Sequence, residues 1–168
     1  MLRFLFGLVV GLLIVPIVGF VYVFLGYAPV ATAAAPLPLE KWITHAALNA
    51  RIDKEAPHSS PLAANEENFE AGARVYHDHC EGCHGAPGRD ADRAARSMFP
   101  RPPQLWRGKG VTDDPVGETW WKVANGIRLS GMPAFEGVLN RDQQWQVSLL
   151  LANADKLPEK VRAMAAGR

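Results

Sequence analysis

Residues 80–85 read CEGCHG and contain both cysteines of the chain, Cys80 and Cys83, with His84 directly after the second. A redox disulfide across two intervening residues needs a βαβ setting, and the helical pattern followed by a Pro-rich stretch does not supply one. A structural zinc site would recruit His77, His79 and His84 from the same stretch, because zinc takes four nitrogen or sulfur ligands. That cluster is contiguous and lacks a separated second ligand pair, so zinc is the weaker use of these residues.

The remaining reading of C-x-x-C-H is covalent haem attachment: Cys80 and Cys83 form thioethers with the two vinyl groups, and His84 is carried under the ring as proximal iron ligand. Two residues between the cysteines let both sulfurs reach one porphyrin while the following imidazole points at the iron. The rest of the chain must then supply a sixth ligand, and GIRLSGMPAFEG at 126–137 offers Met132, 48 residues after His84. Gly131 before it permits close approach, Pro133 after it stiffens the loop, and a thioether sulfur suits haem iron. Met98, 14 residues past His84, is the alternative sulfur, with core or loop packing as its expected role. Methionines commonly fill core gaps, so Met132 is singled out by its Gly-Met-Pro turn together with the C-x-x-C-H.

Helices are expected on both sides of this site. Asn65 is a good N-cap, followed by Glu66, Glu67 and Glu70 where the helix dipole favours carboxylates. Phe69, Gly72, Ala73, Tyr76 and Cys80 then share one face, running into the cysteine motif. A second helix starts at Asn140, with Trp145, Leu149 and Ala152 on one face, Val147, Leu150 and Leu151 widening it, and Pro158 stopping it. Between them the chain is rich in Gly and Pro. Trp106, Trp120, Trp121, Phe135 and Trp145 are expected in the core or around the porphyrin, although adjacent Trp120 and Trp121 cannot face inward alike. His45, His58, His77 and His79 are expected at the surface.

The chain opens differently. Phe4 to Leu25 runs 22 residues without a charge, long enough at about 1.5 Å per residue to span a bilayer core of roughly 30 Å. Its glycines and Pro16 are tolerated in a membrane, and Arg3 puts the N-terminus inside and all that follows outside. Small residues at 31–36, ATAAAP, leave signal cleavage as the rival reading, but signal cores are shorter, and the run is expected to stay as an anchor. Residues 26–64 form a Pro/Ala tether and a short amphipathic helix over 39–56, for which packing on the main domain is expected, with the membrane surface or a partner as alternatives. The haem domain is placed at 65–155 and a tail at 156–168. Lys and Arg total 18 against 17 Asp and Glu, so no nucleic-acid footprint is expected. Residues 89–109 carry six basic and two acidic side chains, a local excess that a solvated loop or an acidic partner would explain.

From about Asn65 to Ala154 the sequence resembles the class I c-type cytochromes, in particular small single-haem bacterial forms with an N-terminal membrane anchor. The match rests on Gly72 and Tyr76, eight and four residues before Cys80, on Trp145 in the later helix, and on Gly131, Met132, Pro133 and Phe135. The resemblance implies an all-α cytochrome c fold wrapped around one covalently bound haem c, after a single transmembrane helix. It also implies that a proline carbonyl among Pro100, Pro102 and Pro103 bonds the proximal histidine, with Pro102 favoured. Histidine plus methionine leaves the iron no open position, which suits an electron carrier rather than an enzyme. The expected protein sits in the bacterial inner membrane with its haem domain in the periplasm. It would pass single electrons between a quinol-oxidising complex or dehydrogenase and a terminal oxidase or reductase. A haem enzyme or gas sensor with open iron, and a fixed subunit of a larger redox complex, are the alternatives.

Overall fold

The structure is a computed structural model describing residues 1–168. It is all-helical: α1 (Leu2–Phe24), α2 (Glu40–Glu55), α3 (Glu66–His79), α4 (Glu81–His84), α5 (Arg93–Arg96), α6 (Val116–Asn125), α7 (Arg141–Ala152) and α8 (Glu159–Ala165). The sole extended pairing is an isolated bridge between Ala86 and Arg89. The chain divides into two compact units, 1–41 and 42–168.

In the first unit, α1 is the one helix long and apolar enough to cross a membrane, with no residue buried. It contains Pro16 and exposes Phe4, Leu12, Val15 and Phe24. A soluble helix hides such side chains, so α1 has the composition of a segment that meets lipid.

The second unit is built on the crossing of α3 and α7. Both start where side chains satisfy the orphan amides of the first turn. Asn65 Oδ1 accepts from Asn68 N at 3.0 Å. Asn140 Oδ1 accepts from Gln143 N at 2.9 Å while Gln143 Oε1 accepts from Asn140 N at 2.9 Å, a reciprocal capping box. At the crossing, a Cβ on Gly72 would collide with the Gln146 carbonyl oxygen and stand 3.1 Å from Leu150 Cβ. Only glycine permits this approach. Around it Tyr76, Trp145, Val147 and Leu150 are fully buried.

The expected tail, 156–168, is instead part of this core. Helix α7 already ends at Ala152, and Pro158 instead begins the next helix: α8 follows it directly, with Val161 and Ala165 fully buried in the same cluster as Tyr76 and Leu150. Burying a valine is worth about 1.5–3 kcal/mol, more than a loose tail would forgo. The Gly- and Pro-rich middle also holds a helix, α6, bounded by Pro115 and Gly126.

Trp120 stacks on Trp145 (centroids 5.1 Å apart, planes 16° apart), whereas Trp121 turns the other way and donates its Nε1–H to Glu55 Oε2 at 3.2 Å. The neighbouring tryptophans therefore face opposite ways. Helix α2 packs on the unit through its last turns, where Ile52 is buried, while Trp42 and Ile43 near its start are exposed.

Candidate haem attachment site

Helix α3 delivers the motif. Its final turn leads into Cys80, and the one-turn α4 carries Cys83 and His84. Both cysteines are free thiols, partly exposed, with no disulfide between them. Burial, with Cys83 nearby, pushes the Cys80 thiol up to about 12. No three His, Cys, Asp or Glu side chains gather as a metal-ion set, so the zinc reading has no ligand shell.

Chain direction reverses at Gly85, whose φ of 72° lies in the left-handed region. A Cβ there would stand 2.7 Å from Gln104 Oε1 and 2.8 Å from the Arg89 carbonyl. The Tyr76 hydroxyl donates to the Gly85 carbonyl at 2.6 Å; burial and the nearby Cys80 raise its pKa, keeping the proton on. The Tyr76 ring also meets Trp106 edge to face at 5.4 Å. Beyond the turn, Gln104 Oε1 accepts from Ala91 N at 3.1 Å and Gly82 O accepts from Asp92 N at 2.9 Å. The long loop is thus folded back beneath His84.

That path brings a proline carbonyl to the imidazole. His84 Nδ1 lies 2.8 Å from Pro103 O, and a carbonyl can only accept, so Nδ1 carries the hydrogen and Nε2 keeps its lone pair. The partner is Pro103, not the favoured Pro102. Leu105 N reaches His84 O at 3.4 Å, and this pairing of 105 with 84 sets the register that presents residue 103. Burial lowers the His84 pKa, against the opposing pull of the Pro103 bond, which favours the neutral imidazole a metal requires.

Met132 is half-buried and packs against the same core cluster as Cys80, Trp106 and Phe135. Its amide donates to Ser130 Oγ at 3.1 Å, and its carbonyl accepts from Ile127 N at 3.1 Å. Ser130 Oγ–H in turn donates to Ile127 O at 2.7 Å. Met98, the alternative sulfur, packs on this loop: its Sδ is 2.8 Å from where a Gly131 Cβ would stand. Of the surface histidines, His79 meets the Phe135 ring at 6.1 Å and His77 Nδ1 pairs with Glu81 Oε2 at 2.7 Å. Ser130 and Gln104 were not singled out from sequence. A serine two residues before the expected ligand methionine is an available signal, since its hydroxyl can bond backbone two positions on.

The residues present fit a haem. A turn with two unlinked cysteines precedes an imidazole whose Nδ1 is committed and whose Nε2 is not, and a methionine borders the same core as Cys80. Gln104 Nε2 is buried with no acceptor in the protein, as a group awaiting a further polar partner would be. The all-helical fold and this constellation are those expected of a c-type cytochrome.

The family comparison agrees. Residues 67–149 match the family described as cytochrome C oxidase, cbb3-type, subunit III. Residues 67–149 are accordingly similar to a c-type cytochrome domain, a kind of domain that binds haem c and transfers electrons. Among solved structures, a chain titled Kuenenia stuttgartiensis reducing HAO-like protein complex Kustc0457/Kustc0458 is similar at 23% identity and a TM-score of 0.49. The match covers 58% of this chain and 48% of that one, so the chain spans about half the length of that relative. No curated protein matches.

Proposed function

We propose that the protein is a membrane-anchored monohaem cytochrome that carries single electrons between partners. Cys80 and Cys83 would hold the haem through thioethers, with His84 Nε2 and the Met132 sulfur available to ligate its iron. The observation that carries this reading is the His84–Pro103 bond at 2.8 Å, which fixes the tautomer and ring of an imidazole one residue past two unlinked cysteines.

Haem iron between nitrogen and sulfur ligands supplies reversible one-electron chemistry at a raised potential. The protein's own contributions are orientation and exclusion. Pro103 O holds His84, the Ser130 and Ile127 bonds hold the Met132 backbone, and Tyr76, Trp106, Leu105 and Phe135 provide an apolar surround. With His84 and Met132 both engaged, the iron would have no free position for oxygen or peroxide, and the proposed role is a carrier rather than an enzyme. Helix α1 anchors the chain in the bacterial inner membrane and the haem domain lies in the periplasm. The donor is a quinol-oxidising complex or dehydrogenase and the acceptor a terminal oxidase or reductase. A tether raises the effective concentration of the haem near such partners.

A second reading, a fixed subunit of a larger redox complex, draws support from the exposed Trp42 and Ile43 on α2. Washed membranes expressing the chain distinguish the two. The carrier should stay with the membranes, titrate as a single one-electron centre, and run as a lone protein in mild detergent. Haem released into the soluble fraction would refute the anchor, and a stable larger assembly would favour the subunit.

A further inference from the structure

Helix α2 carries apolar stripes on two opposite sides. With about 3.6 residues per turn, Leu48 and Ile52 fall on one side and Trp42, Ile43, Ala46, Ala47 and Ala50 on the other. The first side is fixed to the haem domain. Ile52 is 1% exposed, Glu55 Oε2 accepts from Trp121 Nε1 at 3.2 Å, and the chain just past the helix presses so closely on α6 that a Cβ on Gly117 would collide with the Pro57 carbonyl oxygen. The second side faces outward: Trp42 is 69% and Ile43 54% exposed, and the three alanines are exposed with them. From Trp42 to Ala50 the helix carries no carboxylate, lysine or arginine, and Asp53 and Lys54 close the stripe in the last turn. A tryptophan and an isoleucine kept in contact with solvent by a helix clamped from behind mark a surface that is covered by something outside the domain.

We propose that this outer face of α2 lies on the lipid surface of the membrane that α1 enters, and so holds the haem domain at a fixed tilt on the bilayer. This goes beyond the carrier reading and rests on the anchor that α1 supplies in it. Between Phe24 and Glu40 the chain can stretch no further than roughly 55 Å, so Trp42 cannot leave the neighbourhood of the bilayer that holds α1. The chemistry is interfacial: a tryptophan ring favours the headgroup boundary, isoleucine adds apolar area, and an uncharged stretch has no ion to desolvate. The shape agrees, because alanines leave the rest of the face flat. Protein interfaces are centred on several bulky anchors that fill pockets, whereas lipid conforms to a flat face with one tryptophan.

The test uses the full haem-loaded chain in the membranes of the expressing cells, with the photo-crosslinking amino acid benzoylphenylalanine in place of Trp42 or, as a control, of Ser59. Ser59 is exposed in the loop that follows α2. The membranes are washed and irradiated, and the adducts are identified by mass spectrometry. Position 42 should give phospholipid adducts, about fivefold more of them than position 59. A second measurement reads orientation: the linear dichroism of the haem in oriented phosphatidylcholine bilayers should fall about twofold in the double variant Trp42→Ser, Ile43→Ser. The thermal midpoint of that variant in detergent should equal that of the wild type, whereas a face that only stabilised the fold would lower it.

Position 42 joined to a protein rather than to lipid overturns the proposal: a partner of the chain's own mass would identify a second copy, and one of different mass would favour the subunit reading. Lipid adducts equal at 42 and 59 overturn it too, since the tether alone would then account for them, as does the absence of any adduct at 42. Unchanged dichroism in the double variant overturns the fixed tilt. Chain washed off the membranes before irradiation is a separate result, which overturns the anchor and with it the lipid face.

Discussion

The segment after His84 is tied to distant parts of the chain, whereas the loop around Met132 is tied largely to itself. On the histidine side, Tyr76 reaches Gly85, Pro103 reaches His84, Gln104 reaches Ala91 and Asp92 reaches Gly82, so that loop moves only if α3 and residues 85–105 move together. On the methionine side the bonds run among Ile127, Ser130 and Met132, with links to α6 only from Phe135 and Glu136 to Val123 and Ala124. Locally closed, half-exposed segments open at lower free energy than those knitted into the core. On the proposed carrier reading this is a division of labour in which the histidine side would set where the haem sits and the methionine side would decide whether the iron is closed.

Removing the attachment has the largest expected effect: Cys80→Ala with Cys83→Ala should abolish haem staining after denaturing electrophoresis, with surviving stain ending the covalent reading. Next, Gly72→Ala should cost about 1–3 kcal/mol by forcing α3 off α7 at the Gln146 carbonyl. Urea unfolding would show it, and both sides of the site should weaken together. Tyr76→Phe leaves the buried Gly85 carbonyl without its donor, a loss of about 1–3 kcal/mol that should loosen the histidine side first. Ser130→Ala should cost roughly 0.5–1.5 kcal/mol and act locally. It would bring forward loss of the methionine-to-iron band on heating without moving the global unfolding midpoint. If Ser130→Ala lowered the global midpoint as much as Tyr76→Phe, the contrast between the two sides would fail.

The smallest effect concerns Lys160, whose pKa is raised above 10.5 by its bond to Glu70, linking α8 to α3. A raised folded value means that the pair's contribution is fully present below 10.5 and is lost as pH rises through the folded pKa. The side chain is fully exposed, so a urea midpoint measured at neutral pH should hardly change in Lys160→Gln.

Much of this was legible in the sequence, for reasons that vary by element. Asn65 and Asn140 announced α3 and α7 because caps are local chemistry, and Gly72 announced their crossing because no other residue allows it. Helix α6 was concealed by surrounding Gly and Pro, although Val116, Trp120, Val123 and Ala124 recur at helical spacing between Pro115 and Gly126. Helix α8 is too short for periodicity to stand out, and Pro158 marks a start as readily as a stop. Choosing Pro103 over Pro102 depended on bonds from Leu105 and Gln104 to residues far back in the chain, which no local pattern encodes.

The central claim is a closed iron between His84 and Met132, and the optical spectrum of the membrane-expressed protein tests it most directly. The spectrum should show the weak far-red band of methionine bound to ferric haem, its loss in Met132→Ala, and reduced bands indifferent to carbon monoxide. A wild-type spectrum without that band, shifting when carbon monoxide is added, would contradict it and identify an open haem site.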